Sequence, residues 1–204
     1  MMSASNSPSS ASLPPEVSSP RRSWGITLLW LAPVLVLLLI VAYGAFTRPT
    51  VVDTAPRVGQ PLADFTLPDL QGQQVQLSTL RGKVVFINVW TTWCPPCVEE
   101  MPTIQRLYEQ LHPRGLAVLA ISMDALGEQV VHPFLAQRRL TFPVLLDPKS
   151  SIERLYKTMG VPESFIVDKA GVLVEKVVGP RDWAHPQMLA VFERLLAMKR
   201  EDRR

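Results

Sequence analysis

The only two cysteines of the chain, Cys94 and Cys97, stand two residues apart in the stretch Trp93-Cys94-Pro95-Pro96-Cys97. Cysteines at positions i and i+3 of a helix share one face, with Cβ atoms roughly 5–6 Å apart, so a modest backbone adjustment can close a disulfide between them. A pair that forms and breaks such a bond is typical of thiol and disulfide exchange. The spacing therefore predicts redox chemistry at these two residues.

The flanking elements indicate how the pair is positioned. The run from Val84 to Trp90 is rich in β-branched and aromatic residues and too short for a buried helix, which predicts a core strand. The two prolines between the cysteines lack an N–H group, which costs little in a first helical turn, so we predict a helix from about Pro95 to Gln110. At its N-terminus, unpaired amides and the macrodipole stabilise a thiolate. We therefore predict Cys94 as the nucleophile and Cys97, one turn inside the helix, as the resolving thiol.

Two structural interpretations of the cysteine pair compete with this one. A structural disulfide in a four-residue loop would stabilise the fold little, because a short loop constrains the unfolded chain weakly. Half of a zinc site would need two further ligands, and the chain offers no second cysteine pair and only the scattered His112, His132 and His185. We expect these histidines to be surface or helix-end residues, and we expect no metal and no cofactor.

Hydropathy divides the 204 residues into a membrane anchor and one globular domain. Residues 24–46 carry no charge, and as a helix at about 1.5 Å per residue they would cross the roughly 30 Å hydrocarbon core of a bilayer. Arg21 and Arg22 precede this span, which predicts a cytoplasmic N-terminus by the positive-inside rule. A cleaved signal peptide is the alternative, because Ala42-Tyr43-Gly44 is a passable cleavage site, although the apolar run is longer than usual. A twin-arginine signal fits the flanking residues poorly.

The other segments follow from their composition. The first 20 residues hold eight serines and four prolines, so we predict that residues 1–23 form a disordered cytoplasmic tail. Residues 47–57 show no apolar periodicity and are predicted to be a tether, residues 58–199 the folded domain, and residues 200–204 a charged tail. Without Arg21, Arg22 and Glu16, the chain retains 19 basic and 17 acidic residues. This balance gives no electrostatic support for nucleic-acid binding.

Within the folded domain, strand and helix patterns alternate. We predict a hairpin between residues 59 and 80, strands at 116–122 and 144–146, and a helix at 129–138. Ser150 and Glu153 form a capping-box pattern for a helix through Tyr156 that ends at Gly160. An antiparallel hairpin at 165–178 and a last helix at 185–198 follow. Strand, helix and strand in alternation predict parallel βαβ units, and the late hairpin makes the sheet mixed.

Together these motifs resemble those of membrane-anchored thioredoxin-fold proteins of the TlpA type, a group that includes the thioredoxins dedicated to cytochrome c maturation. The resemblance covers about residues 58–198. It is carried by Asp64-Phe65-Thr66-Leu67, Leu80 to Lys83, Phe86 to Trp90, the cysteine motif with Glu99 to Pro102, and Val161 to Asp168. It implies an α/β thioredoxin-like fold, in which a central mixed sheet is flanked by helices, with an N-terminal transmembrane helix.

The resemblance also implies a substrate-binding surface. In that fold the proline before the third strand of the sheet is cis and lies against the active-site disulfide, and the matching residue is Pro162. The residue before it, Val161, would pair its backbone with an extended substrate peptide beside Cys94. Trp93 would belong to the same surface. An ordinary trans turn proline is the alternative interpretation of Pro162.

Two departures from related patterns concern proton transfer. Ordinary thioredoxins carry a buried aspartate where this chain has Asn88, as is usual in the TlpA group. Some relatives place a glutamate between the cysteines, where this chain has Pro95. Proton transfer to and from Cys97 must therefore use another group. Glu163, next to the proline, is our candidate, and a solvated surface carboxylate is the alternative interpretation of this residue.

By resemblance, the chain is a thiol:disulfide oxidoreductase anchored in a bacterial inner membrane with its catalytic domain in the periplasm. It would reduce a disulfide-bearing client protein, preferably apocytochrome c, and be re-reduced by a membrane dithiol donor. A thiol peroxidase of the peroxiredoxin type is one alternative, because Thr91 to Cys94 satisfies its Thr-x-x-Cys motif, although Ile87 stands where that motif has proline. A copper-delivery chaperone of related fold is another, although His185 has no matching motif.

Overall fold

The computed structural model describes residues 33, 35–40, 42–43 and 55–198. The chain divides into two compact units, Met1–Val52 and Asp53–Arg204. The described residues of the first unit are helical and exposed, and no helix among all described residues has both the length and the apolar character needed to cross a bilayer. The predicted cytoplasmic tail, most of the predicted anchor and tether, and the predicted charged tail at 200–204 lie outside the described residues.

The second unit is built from seven strands and four α-helices in its described part. The strands are β1 (Thr66–Pro68), β2 (Gln74–Gln76), β3 (Val84–Trp90), β4 (Leu116–Ser122), β5 (Val144–Leu146), β6 (Glu163–Val167) and β7 (Leu173–Val178). The helices are α1 (Pro95–Leu111), α2 (Glu128–Arg138), α3 (Ser151–Tyr156) and α4 (Pro186–Ala197), with 3₁₀ turns at Leu77–Leu80 and His112–Arg114. The predicted elements are confirmed. Strands β3, β4 and β5 have the predicted ends, whereas the ends of α1, α2, α4 and β6 differ from the predicted ones by one or two residues.

Five strands form one mixed sheet in the order β5-β4-β3-β6-β7. Strands β3, β4 and β5 run parallel, while β6 pairs antiparallel with β3 and β7 antiparallel with β6. The first hairpin, β1 and β2, forms a separate two-stranded sheet around a turn in which Asp69 accepts hydrogen bonds from the amides of Gln71 and Gln73. This is the predicted α/β arrangement of a central mixed sheet flanked by helices.

The sheet is buried on both faces, and the alternation along β3 shows why. Val84, Phe86 and Trp90 belong to one apolar cluster, which also contains the buried side chains of α1, α2 and α4. Val85, Ile87 and Val89 belong to a second cluster, which contains those of α3 and the first hairpin. Successive residues of a strand point to opposite faces, so a strand covered on both sides is apolar throughout. We call these the α1 face and the α3 face of the sheet.

One local prediction was wrong. Ser150 does not form the predicted capping box for α3, because it lies in the left-handed region at φ 50° and its side chain caps no amide. Asp147 takes this role instead, accepting hydrogen bonds from the backbone N–H of Ser151 at 2.9 Å and of Ile152 at 2.8 Å. The helix also ends at Tyr156, before Gly160. The carboxylate of a residue just outside the apparent motif therefore starts the helix.

Candidate active site

The cysteine pair lies where β3 passes into α1. Cys94 and Cys97 form a disulfide with their Cα atoms 5.3 Å apart. Cys94 is the N-cap residue of α1, and its Sγ accepts a hydrogen bond from the backbone N–H of Cys97 at 3.3 Å. Cys94 is 4% exposed and Cys97 fully buried. The pair is therefore asymmetric, with one sulfur at the helix N-terminus and the other covered by the fold.

The loop before Cys94 is held by a buried aspartate just after the end of β4. Asp124 accepts hydrogen bonds from the N–H of Thr92 at 2.9 Å and from its hydroxyl at 2.7 Å. Ser122 donates its hydroxyl to the same carboxylate at 2.8 Å. Because β3 and β4 are parallel neighbours, their carboxyl ends lie at the same edge of the sheet. The loop that presents Cys94 is therefore fixed to the end of the adjacent strand.

The predicted substrate surface is assembled around Cys94. The Val161–Pro162 peptide bond is cis, as predicted, and the carbonyl oxygen of Val161 lies 3.6 Å from Cys94 Sγ. Pro162 is buried and Val161 half-buried. Trp93 is 70% exposed, which is high for so large an apolar side chain. The structure thus brings Cys94 and Val161 together and leaves the indole of Trp93 open to a partner.

A buried carboxylate, Glu100, lies one helical turn beyond Cys97 on α1 and is only 3% exposed. Asn88 donates its side-chain amide to one oxygen of Glu100 at 2.8 Å. The other oxygen accepts the indole N–H of Trp183 at 2.9 Å and the backbone N–H of Arg181 at 3.1 Å. Glu100 therefore connects α1, strand β3 and the loop that follows β7.

The surroundings of Glu100 favour its protonated form. Burial raises the pKa of this carboxyl, and the hydrogen bonds from Trp183, Asn88 and Arg181 offset only part of that effect. Among residues 55–198, no lysine or arginine side chain forms an ion pair with it. A carboxyl with a raised pKa can hold or release a proton closer to neutral pH than an ordinary glutamate.

Sequence reasoning missed Glu100, although a signal was present. The buried face of α1 contains Cys97, Met101, Ile104, Leu107 and Leu111. Position 100 falls on the same stripe, three residues after Cys97 and four before Ile104. A glutamate at a core position of an amphipathic helix indicates either a paired charge or a functional group.

Glu163 is not the solvated surface residue considered as the alternative, because it is fully buried. Its carboxylate forms an ion pair with Lys176 on β7 and accepts the backbone N–H of Met159 at 3.2 Å. The neighbouring Ser164 is opposite Asn88 and bonded to it, so Ser164 lies on the α1 face and Glu163 on the α3 face. Glu163 and Glu100 therefore occupy opposite faces of the sheet.

The three histidines lie apart from the cysteine pair in the sequence and in separate elements. His112 follows α1, stacks on Tyr108 and has Nδ1 3.3 Å from the carbonyl oxygen of Leu116. His132 is exposed on α2, and His185 caps α4 by accepting the N–H of Gln187. No group of three or more potential metal ligands is present among the described residues. Two of the three histidines are thus helix-end residues, and the third is on the surface.

Comparison with known proteins identifies the family to which this chain belongs. The model of the AhpC/TSA family matches residues 58–176, which include the cysteine pair, Glu100 and Pro162. The chain belongs to the AhpC/TSA family. The matched residues make up more than half of the chain and lie within the second unit. This confirms the predicted thioredoxin-like relationship.

Two similar proteins are named thiol-disulfide oxidoreductases. The thiol-disulfide oxidoreductase ResA of a Bacillus cereus strain is 38% identical over 123 residues, which are 60% of this chain and 70% of that protein. ResA of Geobacillus kaustophilus is 37% identical over 148 residues, 72% of this chain and 84% of that protein. The chain, an AhpC/TSA member with a disulfide-bonded Cys-x-x-Cys pair, is a thiol-disulfide oxidoreductase.

A solved structure agrees with this assignment. The crystal structure of a proposed thiol:disulfide interchange protein DsbE from Chlorobium tepidum superposes with a TM-score of 0.60 at 32% sequence identity. The superposition covers 70% of this chain and 96% of that protein. The comparison confirms the thioredoxin-like fold.

Proposed function

We propose that this thiol-disulfide oxidoreductase acts as a reductant on the periplasmic side of a bacterial inner membrane, held there by residues 24–46. Its client is a disulfide-bearing protein, preferably apocytochrome c, and a membrane dithiol protein returns its electrons. The observation that carries the proposal is the environment of Cys94, whose sulfur accepts a backbone N–H at a helix N-terminus and lies 3.6 Å from the Val161 carbonyl oxygen.

The electron transfer needs only the two cysteines. The thiolate of Cys94 attacks one sulfur of the client disulfide, forming a mixed disulfide and releasing the first client sulfur as a thiolate. The thiolate of Cys97 then attacks Cys94 Sγ, which forms the intramolecular disulfide and releases the second client sulfur. The client gains two electrons and two protons, and the protein is oxidised to the disulfide form that the structure contains.

We propose that Glu100 is the group that exchanges a proton with the Cys97 thiol. A buried thiol is a poor nucleophile until its proton is removed, because burial in apolar surroundings raises the pKa of a thiol. Glu100 lies one turn away on the same helix and is also buried. Protonated Glu100 needs an acceptor, and the side-chain oxygen of Asn88, which has no partner among the described residues, provides one if the amide turns over.

Client binding in this proposal uses the exposed Trp93 and the Val161–Pro162 segment. An extended client chain can add its backbone hydrogen bonds to the segment before Pro162, while its disulfide lies over Cys94. The indole of Trp93 then covers part of the client, which explains its exposure in the free protein.

The location and the client are supported by the sequence. Residues 24–46 form a continuous uncharged run preceded by Arg21 and Arg22, a pattern typical of an uncleaved anchor with the C-terminal domain outside the cytoplasm. The motifs shared with TlpA-type proteins favour the haem-site disulfide of apocytochrome c as the client. Such a disulfide must be reduced before haem is attached to its two sulfurs.

The decisive experiment equilibrates the full chain with glutathione buffers and measures the midpoint potential of Cys94 and Cys97. A reductant requires a potential well below the oxidising extreme of about −120 mV, and a value near that extreme would exclude the proposed direction. A second measurement follows reduction of an oxidised Cys-x-x-Cys-His peptide by the reduced protein. Cys94→Ser should abolish reduction, and Cys97→Ser should trap a mixed disulfide between Cys94 and the peptide.

A further inference from the structure

A groove of about 530 Å³ lies at the end of the sheet opposite Cys94. Its walls include Leu116 and Val118, in the first half of β4. Leu116 pairs with Val84, the first residue of β3, whereas Cys94 lies beyond the last residue of that strand. The groove is therefore separate from the active site.

The unequal lengths of the strands create this groove. Strand β3 pairs with β4 along the whole of β4, but β5 pairs only with residues 120–122. On its other edge, residues 116–119 of β4 consequently have no neighbouring strand within the described part of the sheet. The turn of the first hairpin and the loop 140–143 contribute further walls. The folded domain thus provides a concave site beside an incomplete sheet edge.

The accessible walls of the groove are apolar. Leu70, Val75, Leu80, Ala117 and Leu140 line it and are half-buried, so each keeps some surface open to solvent. Small-molecule sites typically occupy about 300–1,000 Å³ and combine a mostly apolar lining with a few polar groups. Covering exposed apolar surface is favourable. The size and the lining both favour a small organic ligand.

A basic side chain at the groove favours a ligand that is an acid. Lys83 lines the groove, is exposed, and forms no ion pair among residues 55–198. Asp69 also lines the groove, but its Oδ1 accepts the amides of Gln71 and Gln73 within the hairpin turn. Salt and water screen an ion pair less when one side of it is covered by apolar groups. A carboxylate joined to an apolar body matches both the cation and the walls.

We propose that this groove binds a small carboxylic acid with an apolar body. The apolar body lies against Leu70, Leu80 and Leu140, and the carboxylate pairs with the ammonium group of Lys83. The inference goes beyond the proposed function, because the site is remote from Cys94 and requires neither the reduction of a client nor attachment to a membrane.

The test titrates the full chain in nanodiscs of zwitterionic lipid with 4-phenylbutyrate, and with 4-phenylbutanamide as an uncharged probe of the same shape. Ligand-observed NMR gives both dissociation constants, and empty nanodiscs are the blank for partition into lipid. We expect saturable binding of the acid with a dissociation constant of about 2 mM or tighter, as for a ligand of about 12 heavy atoms. The amide should bind about two to five times more weakly, because it lacks the ion pair with Lys83.

Matched variants separate the charge from the apolar walls. Lys83→Met should bring the two dissociation constants together, whereas Lys149→Met, at an exposed position outside the groove, should leave their ratio unchanged. Leu70→Ala should weaken both probes about threefold or more and preserve the ratio, because it removes only apolar contact. Met159→Ala, an 85% exposed position two residues before Val161, should leave both constants unchanged. Urea denaturation checks that each variant is folded.

Three results would overturn the site. The first is no saturable binding of the acid below about 10 mM, and the second is a preference for the acid that survives in Lys83→Met. The third is weaker binding in Met159→Ala with none in Leu70→Ala, because the probe would then occupy the active site. A short peptide that ends in leucine with a free carboxylate is a further probe. If it binds more tightly than phenylbutyrate, the groove takes a protein terminus, and the small-molecule class is wrong.

Discussion

The two buried glutamates near the active site, on opposite faces of the sheet, differ in what surrounds them. On the α1 face, the groups within residues 55–198 that donate hydrogen bonds to the carboxylate of Glu100 are neutral, and they come from Asn88, Trp183 and the backbone of Arg181. On the α3 face, Glu163 is paired with the ammonium group of Lys176. A cation compensates a buried carboxylate, whereas neutral donors leave much of the burial cost in place. The comparison indicates a proton-exchanging group on one face and a structural ion pair on the other.

The largest effect is expected when the ion pair on the α3 face is broken. Lys176→Met leaves Glu163 buried without its cation and should lower the free energy of unfolding by about 3 kcal/mol, at the low end for a buried pair because the lysine side chain is 25% exposed. Urea denaturation measures this loss. The matched control is Arg114→Met, which breaks the exposed pair with Glu193 and should cost about 0–1 kcal/mol.

A double variant shows whether the stranded charge causes this loss. Adding Glu163→Gln to Lys176→Met should restore most of the lost stability, since the buried charge is then removed together with its partner. If the double variant is no more stable than Lys176→Met alone, the cause is the lost contact between the Lys176 ammonium group and the Phe165 ring, whose centroid lies 5.5 Å away. The charge of Glu163 would then not explain the loss of stability.

The second prediction concerns proton transfer on the α1 face. Glu100→Gln should slow resolution by Cys97 about a hundredfold at neutral pH, which is the lower range for loss of a general acid or base. It should also change the pH dependence of Cys97 alkylation, measured in a Cys94→Ser background. Glu163→Gln is the matched variant on the other face. An altered alkylation profile in Glu163→Gln, with none in Glu100→Gln, would return the proton-transfer role to Glu163.

A third prediction tests the cap of α3, the helix that covers the α3 face. Asp147→Ala removes the acceptor for the amides of Ser151 and Ile152 and should lower the free energy of unfolding by about 1–2 kcal/mol. Ser150→Ala removes a side chain that caps nothing and should change it by less than about 0.5 kcal/mol. If thermal or urea denaturation shows equal losses for the two variants, the result would support the predicted capping box of Ser150 and contradict the role of Asp147.

The smallest expected effect is a pH dependence of stability. Because the pKa of Glu100 is raised by folding, the folded state binds more protons than the unfolded state between the ordinary glutamate pKa and the raised one. The contribution of Glu100 to stability is therefore fully present below the unfolded pKa and is lost as pH rises through the folded pKa.

Glu100→Gln removes this proton linkage. The stability of the variant minus that of wild type should consequently increase with pH across this window and become constant above it. Urea denaturation at a series of pH values gives the difference curve, and Glu99→Gln, at the exposed neighbouring position of α1, is the control. A difference that stays flat or falls with pH would contradict the raised pKa.

Local sequence patterns were sufficient to predict the secondary-structure elements and the redox-active cysteine pair. Val84 to Trp90 and Leu116 to Ser122 are continuous apolar runs of strand length, and both are strands of that extent. The prolines after Cys94 start α1 where expected. These features depend on backbone propensities and on residues within one or two turns of each other, so each can be recognised from a short window.

Contacts between distant residues could not be recognised in this way. Glu100 receives its hydrogen bond from Trp183, 83 residues further along the chain, and its pKa depends on burial that only the packing of α1 against the sheet creates. Whether Glu163 is solvated or paired depends on the register of β6 with β7, which brings Lys176 beside it. The sequence therefore contained the two cysteines and their spacing, while the fold decided which glutamate is paired with a cation and which is buried among neutral donors, because burial and pairing are properties of neighbours brought together from remote positions.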